Sequence, residues 1–321
     1  MKAAVYDKNG PPDVLRYADV DDPPLQPGGV VVRVAAVSIE GGDVLNRAGG
    51  ELLAHPHIVG YQCAGYVRDV GEGVSGLSEG DAVVCVMVNG SHAELVSVPE
   101  LLCWRVPDGL PIEEAACIPI PFGTADDCLF EFGRLQSGET VLVQAGASGV
   151  GLAAIQLAKR AGATVFTTAS NADKLGRLAE LGADHGINYT QTNFVDEVRR
   201  LTDGRGVDLV VDSVGGQVLA GSLQSLAYRG RCITVGNAGR EQGEKFDIST
   251  LGAGNQSLTG VFLGAEIITD RVQQMIGRHI ADVAKGDLKV IIDRTFPLAD
   301  AAAAHTYLES RQAFGRVLLI P

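Results

Sequence analysis

An α/β fold, with a doubly wound parallel sheet inserted into a β-rich domain, is what this sequence of 321 residues predicts. Three observations carry the prediction. A strand, glycine turn and helix follow one another from residue 141. Strand and helix patterns then alternate to about residue 254, and short β-branched runs separated by Gly, Pro and Asp turns fill the first third.

Taken in order, residues 3–6, 30–37, 63–70, 82–86 and 93–98 read as short strands. Turns such as Asp21-Asp22-Pro23-Pro24, Gly71-Glu72-Gly73 and Ser78-Glu79-Gly80-Asp81 divide them, and such spacing suggests a small barrel or sandwich. Residues 108–132 read as helical, with Ile-Pro-Ile-Pro interrupting at 118–121. Strands are then expected at 141–143, 164–168, 186–188, 209–212 and 232–235, and helices near 150–161, 172–181, 192–203 and 216–227. Parallel strands with crossover helices are the consequence. Strand character returns at 257–263, helices at 267–285 and 300–310, and a last strand at 316–320. The expected division is 1–118 with 257–321 for the β-rich domain, and 119–256 for the inserted one.

The turn Ala145-Gly146-Ala147-Ser148-Gly149-Val150-Gly151 is the centre of this reading. A strand that runs through small residues into a helix presents unpaired N–H groups and the positive end of the helix dipole, where a pyrophosphate fits. The spacing departs from G-x-G-x-x-G, because Ser148 holds the middle place. About twenty residues on, where an NAD site sets an acid against the ribose 2′-hydroxyl, stand Thr168-Ala169-Ser170-Asn171, with Lys174 close behind. A missing acid and a nearby cation point to a 2′-phosphate and hence NADPH. The alternative is that Asp173 supplies the acid and Lys174 is a solvated helix residue.

Forty-one glycines among 321 residues is almost twice the usual share of about 7 %, and they lie among apolar runs, which indicates turns rather than disorder. A net charge of −13 argues against nucleic acid and anionic membrane as partners. The six cysteines include no C-x-x-C pair and are expected to be reduced and buried. The opening MKAAVYDKNG lacks an apolar stretch and no segment approaches a membrane span, so a soluble, cytoplasmic protein is expected.

Several landmarks, in order, resemble the medium-chain dehydrogenase/reductase superfamily, and within it the zinc-free NADPH:quinone oxidoreductase branch. They are MKAAVY at the start, 56–65 running into CAGYV at 63–67, GLSEGDAVV at 76–84, the segment 120–125, AGASGVG, Gly182-Ala183-Asp184, and VDLVVDSVGG at 207–216. The resemblance covers essentially the whole chain. It implies a Rossmann domain inserted into a GroES-like catalytic domain, a dimer of identical chains, and hydride transfer from NADPH to a quinone or other conjugated carbonyl. Where zinc-binding members carry Gly-His-Glu, this chain has Gly60-Tyr61-Gln62, and the four-cysteine lobe is absent. His55 and His57 lie close by without a partner cysteine or acid in register, so no metal is expected.

The branch's active-site Asn and Asp correspond to Glu40 and Asp43, so a carboxylate stands where an amide donor is usual. Burial beside Asp43 would make Glu40 a proton donor; two exposed loop carboxylates are the other reading. Tyr61 is the tyrosine nearest this segment. For the coenzyme, the resemblance implies Thr124 near the nicotinamide, the turn Gly146, Ala147, Ser148, Gly149, Val150 and Gly151 at the pyrophosphate, and Ser170, Lys174 and Tyr189 at the 2′-phosphate. Gly236, Asn237, Phe262 and Leu263 fall in the stretches that hold ribose and carboxamide, and Arg316 stands where the branch often has a lysine. The same superfamily leaves two alternatives, an enoyl-thioester reductase and a non-catalytic NADPH-binding protein.

Overall fold

The β-branched runs of the first third do form strands. The computed structural model describes residues 1–239, Asp247 and 249–321, and it divides into two units, Met1–Ile120 with Glu266–Pro321, and Pro121–Ala265. Among the described residues no helix is long and apolar enough to cross a membrane.

The first unit begins with β1 (Lys2–Tyr6), β2 (Arg16–Asp19), β3 (Gly29–Ser38), helix α1 (Gly41–Gly49), β4 (His57–Ile58) and β5 (Gln62–Val70). β6 (Ala82–Val86), β7 (Leu95–Pro99), β8 (Cys103–Arg105) and the short helix α2 (Ile112–Ala115) follow. β1 lies between β2 and β4 in a three-stranded sheet. β3 is the longest strand and the centre of the larger sheet, with β5 along one edge and β7 along part of the other. Its Val30, Val32 and Val34 enter one core with Cys63, Val67 and Val83, as the two-residue period of a strand requires, and Val37 joins them past a register shift between Val34 and Ala36.

Helix α1 lies between the runs read as strands at 30–37 and 63–70, where no helix is expected from the sequence. It opens on two glycines, which are poor helix formers. A carboxylate holds its start, Asp43 Oδ2 accepting from the Glu40 N–H at 2.8 Å, and its Val44 and Arg47 are buried.

The second unit receives α3 (Pro119–Asp126) and then alternates as expected: β9 (Thr140–Val143), α4 (Gly149–Arg160), β10 (Thr164–Ala169), α5 (Ala172–Glu180), β11 (His185–Asn188) and α6 (Phe194–Leu201). β12 (Val207–Asp212), α7 (Gly216–Gln224), β13 (Leu226–Thr234), α8 (Thr250–Ala253) and β14 (Ser257–Gly260) complete it. All its strand pairs are parallel, in the order β11-β10-β9-β12-β13-β14. The order reverses between β9 and β12, the topological switch point of a doubly wound sheet.

The return to the first unit comes at Glu266 and not at 257. Ser257–Gly260 pairs in parallel with β13, Cys232 against Leu258, so residues 257–265 belong to the inserted unit. From there α9 (Asp270–Ala284), β15 (Ile292–Pro297), α10 (Ala301–Glu309) and β16 (Arg316–Ile320) close the first unit. β16 pairs with the end of β3, setting Leu318 opposite Ser38.

Candidate functional site

In the second unit the glycine turn is built by close approach of backbone to backbone. Gly146 N–H donates to the Thr168 carbonyl at 3.0 Å, and the Ala145 N–H to the Thr168 hydroxyl at 3.1 Å. A Cβ on Gly146 would collide with Thr167 Oγ1, and one on Gly151 with the Ala145 carbonyl. These two glycines are therefore required by the packing of α4 on the sheet. Ser148, which breaks the expected spacing, caps α4 by accepting from the Gly151 N–H at 3.1 Å. Ala147, Ser148, Gly149 and Val150 remain half-exposed. The Gly149 and Val150 amides lie in the first helical turn, where no intrahelical carbonyl reaches them. An anion can be held there.

The remaining coenzyme candidates of this unit mostly emerge from the carboxyl ends of the same sheet. Ser170 follows β10 and Tyr189 follows β11, strands paired so that Ala169 faces Asn188. Asn171 caps α5 by accepting from the Lys174 N–H at 2.9 Å, which places Lys174 in the first turn. The residues that leave the end of β10, Ser170 and Asn171, carry no acid; Asp173 is already inside α5. Gly236, at φ 88°, and Asn237 follow β13. Phe262 follows β14 and is 76 % exposed, so it is not a core aromatic, whereas Leu263 is buried. Thr124 is buried on α3. The half-open amides, the cation and the absent acid fit a dinucleotide with a 2′-phosphate.

In the first unit the structure gathers Ser38, Glu40, Asp43, Tyr61, Gln62 and Arg316. Glu40 and Asp43 are 3 % and 0 % exposed, which overturns the reading of two exposed loop carboxylates. Glu40 Oε1 accepts from the Arg316 guanidinium, from Gln62 Nε2 at 3.0 Å and from Ser38 Oγ at 3.4 Å. Arg316, grouped by the sequence with the coenzyme residues, also donates to Ser38 Oγ at 2.7 Å and to the Ile39 carbonyl at 2.7 Å. Gln62 in turn accepts from the Ile120 N–H at 2.7 Å, which fixes its amide.

Burial dominates the protonation of these groups. It pushes Glu40 up to about 7, although Arg316 and Ser38 pull the other way. Burial also raises Asp43 well above the usual carboxylate range, only partly offset by the Glu40 N–H. Tyr61, half-buried, is raised by burial and by the Asp43 and Glu40 carboxyl groups.

Sequence reasoning missed Arg316 as the partner of Glu40, and Ser38 and Gln62 as members of the group. The available signal was chemical: a buried carboxylate in place of an amide calls for a cation. Among the described residues no group of three or more His, Cys, Asp or Glu is placed to hold a metal ion. His57 packs edge-on against Tyr6, with ring centroids 5.2 Å apart.

Comparison with known proteins matches residues 26–108 to the alcohol dehydrogenase GroES-like domain and residues 149–282 to the family described as zinc-binding dehydrogenase. The chain is 33 % identical to the human synaptic vesicle membrane protein VAT-1 homolog, over 92 % of this chain and 79 % of that protein. It is 32 % identical to 2-haloacrylate reductase of a Burkholderia species, over 100 % of this chain and 99 % of the relative. Among solved structures, quinone oxidoreductase of Escherichia coli complexed with NADPH superposes with a TM-score of 0.94 at 29 % identity, covering 100 % of both chains.

Proposed function

The chain belongs to the quinone oxidoreductase branch of the medium-chain dehydrogenase/reductase superfamily, and from that premise we propose that it is a zinc-independent, NADPH-dependent reductase of conjugated carbonyl acceptors, quinones among them. The observation that supports this most strongly is the carboxyl edge of the six-stranded sheet. There the half-open amides of Ala147–Val150, the acid-free end of β10, Lys174, Tyr189 and Gly236 lie along one side of one sheet. Bound NADPH supplies a hydride. The amides and the dipole of α4 hold its pyrophosphate, and Ser170, Lys174 and Tyr189 hold the 2′-phosphate.

The chain's own chemistry is then placement and proton supply. A conjugated acceptor spreads the charge that hydride addition creates, so a Lewis acid is not required; a donor for the forming oxyanion is. Tyr61, kept protonated by burial and the neighbouring carboxyl groups, carries that proton at its hydroxyl. Glu40, raised by burial to about 7, exchanges its proton near neutral pH and restores that of Tyr61, and burial raises Asp43 beside it. Arg316 and Gln62 keep the Glu40 carboxyl in one orientation.

Stopped-flow mixing of chelator-washed, NADPH-loaded protein with 9,10-phenanthrenequinone and with crotonyl-CoA tests the reading. Oxidation by the quinone supports it. Thioester turnover alone would make the chain an enoyl-thioester reductase, and tight binding without turnover would make it a coenzyme-binding protein.

A further inference from the structure

Three cysteines far apart in sequence fall in line across the larger sheet of the first unit. Cys63 on β5 faces Cys85 on β6, and Cys85 faces Cys103 on β8. The two steps differ in geometry. The Val106 N–H bonds the Ala82 carbonyl, and alternation along the antiparallel ladder makes Cys85 and Cys103 a non-hydrogen-bonded pair, with Cα atoms about 4.5 Å apart. The Met87 N–H bonds the Tyr61 carbonyl, which makes Cys63 and Cys85 a hydrogen-bonded pair at about 5.5 Å. The close step has its sulfurs already in contact, Cys85 Sγ donating to Cys103 Sγ at 3.5 Å. Disulfides span Cα separations of about 4.4–6.8 Å, so small side-chain rotations suffice to join this pair.

Access and order of reaction also follow from the fold. β8 ends the sheet, and Cys103 is partly exposed while Cys85 and Cys63 are buried. The ladder is not among groups placed to hold a metal ion, as the described residues include none.

We propose that Cys85 and Cys103 are a reversible dithiol/disulfide site oxidised by peroxides. The Cys103 sulfur attacks hydrogen peroxide, breaking the O–O bond; one oxygen stays as a sulfenic acid and the other leaves as water. The Cys85 sulfur then attacks the Cys103 sulfur, the S–S bond forms, the S–O bond breaks, and the oxygen leaves as a second water with the thiol protons. Two thiols lose two electrons in all, and one peroxide is reduced to two waters. The hydrogen bond to Cys103 and burial raise the Cys85 thiol well above its usual range, so the partly exposed Cys103 is the sulfur that meets peroxide first. The product ties the edge strand β8 to β6, and a small thiol reductant reverses it.

Mass spectrometry of non-reduced peptides after brief treatment with hydrogen peroxide tests the site. A Cys85–Cys103 cross-link is expected, with two of the six thiols lost to titration in denaturant and restored by dithiothreitol. In Cys85→Ser the reaction should stop at a sulfenic acid on Cys103 that dimedone traps. A lasting dimedone adduct on Cys103 of the unaltered protein without a cross-link, a cross-link from Cys63 instead, or six intact thiols would each overturn the proposal, and none of these readings depends on a variant folding.

Discussion

Replacing Arg316 by leucine separates the charge of the Glu40–Arg316 pair from its packing. Burial raises Glu40 from 4.5 to about 7 in the folded chain. A carboxyl whose folded pKa lies above its unfolded value costs nothing while both states are protonated. Stability falls as pH rises from about 4.5, at up to about 1.4 kcal/mol per unit, until Glu40 ionises in the folded state near pH 7. The total penalty approaches about 3 kcal/mol. Without Arg316 the folded carboxyl keeps its proton to higher pH, so the fall continues. At pH 6 Glu40 is protonated in both folded proteins, and the substitution costs the bonds that Arg316 makes to Ser38, Ile39 and the uncharged Glu40 carboxyl. Above pH 7 the original chain has ionised Glu40 against its cation, and each further unit over which the variant keeps the proton adds about 1.4 kcal/mol to the cost, so the cost at pH 9 exceeds that at pH 6. Urea unfolding at the two pH values measures the difference, and a Glu40→Gln background should abolish its pH-dependent part. An Arg316→Leu cost equal at both pH values, or a pH dependence that survives when Glu40→Gln is also present, would refute the reasoning.

Charge reversal at Lys174 should raise the KM for NADPH on the order of ten- to a hundredfold, the worth of one charge-assisted bond, with the KM for NADH nearly unchanged; equal effects would sink the 2′-phosphate assignment. Steady-state kinetics with the two coenzymes reads this directly. Gly151→Ala should cost about 1–3 kcal/mol in urea unfolding by forcing a methyl against the Ala145 carbonyl. Gly176→Ala, in the interior of α5 with open space around it, should instead gain up to about 1 kcal/mol. On the acid side, His305 Nδ1 faces Arg47 at 3.3 Å and so accepts, which leaves His305 Nε2 to donate to His92 Nε2 at 3.0 Å. Burial lowers His92 to about 3 and His305 well below 6.5, so their stabilisation is present above pH 6.5 and lost as pH falls below it. His92→Gln should flatten the plot of unfolding free energy between pH 6 and pH 4 by about 1.4 kcal/mol per unit, and an unchanged slope would contradict the neutral pair.

What the sequence made legible was local and periodic. Strand 141–143, helix 150–161 and strand 164–168 correspond to β9, α4 and β10 within a few residues, because apolar spacing and the glycine turn act over a few residues. The start of β13 was hidden, since Leu226–Thr234 includes Tyr228-Arg229-Gly230-Arg231, which reads as a turn. In the structure Arg231 is held by Glu139 at 2.6 Å, a partner just ahead of β9 that no local pattern shows. The same limit hid the Glu40–Arg316 pair, whose members are 276 residues apart. It also misplaced residues 257–265, whose apolar character shows a strand without saying which sheet it joins.

Coenzyme binding without metal is most directly tested by isothermal titration of NADPH into protein freed of metal by o-phenanthroline, followed by turnover with 9,10-phenanthrenequinone. Saturable binding at one site per chain, with a rate that added Zn²⁺ leaves unchanged, is the predicted result. No heat of binding at saturating NADPH, or a rate that appears only when Zn²⁺ is restored, would contradict the account.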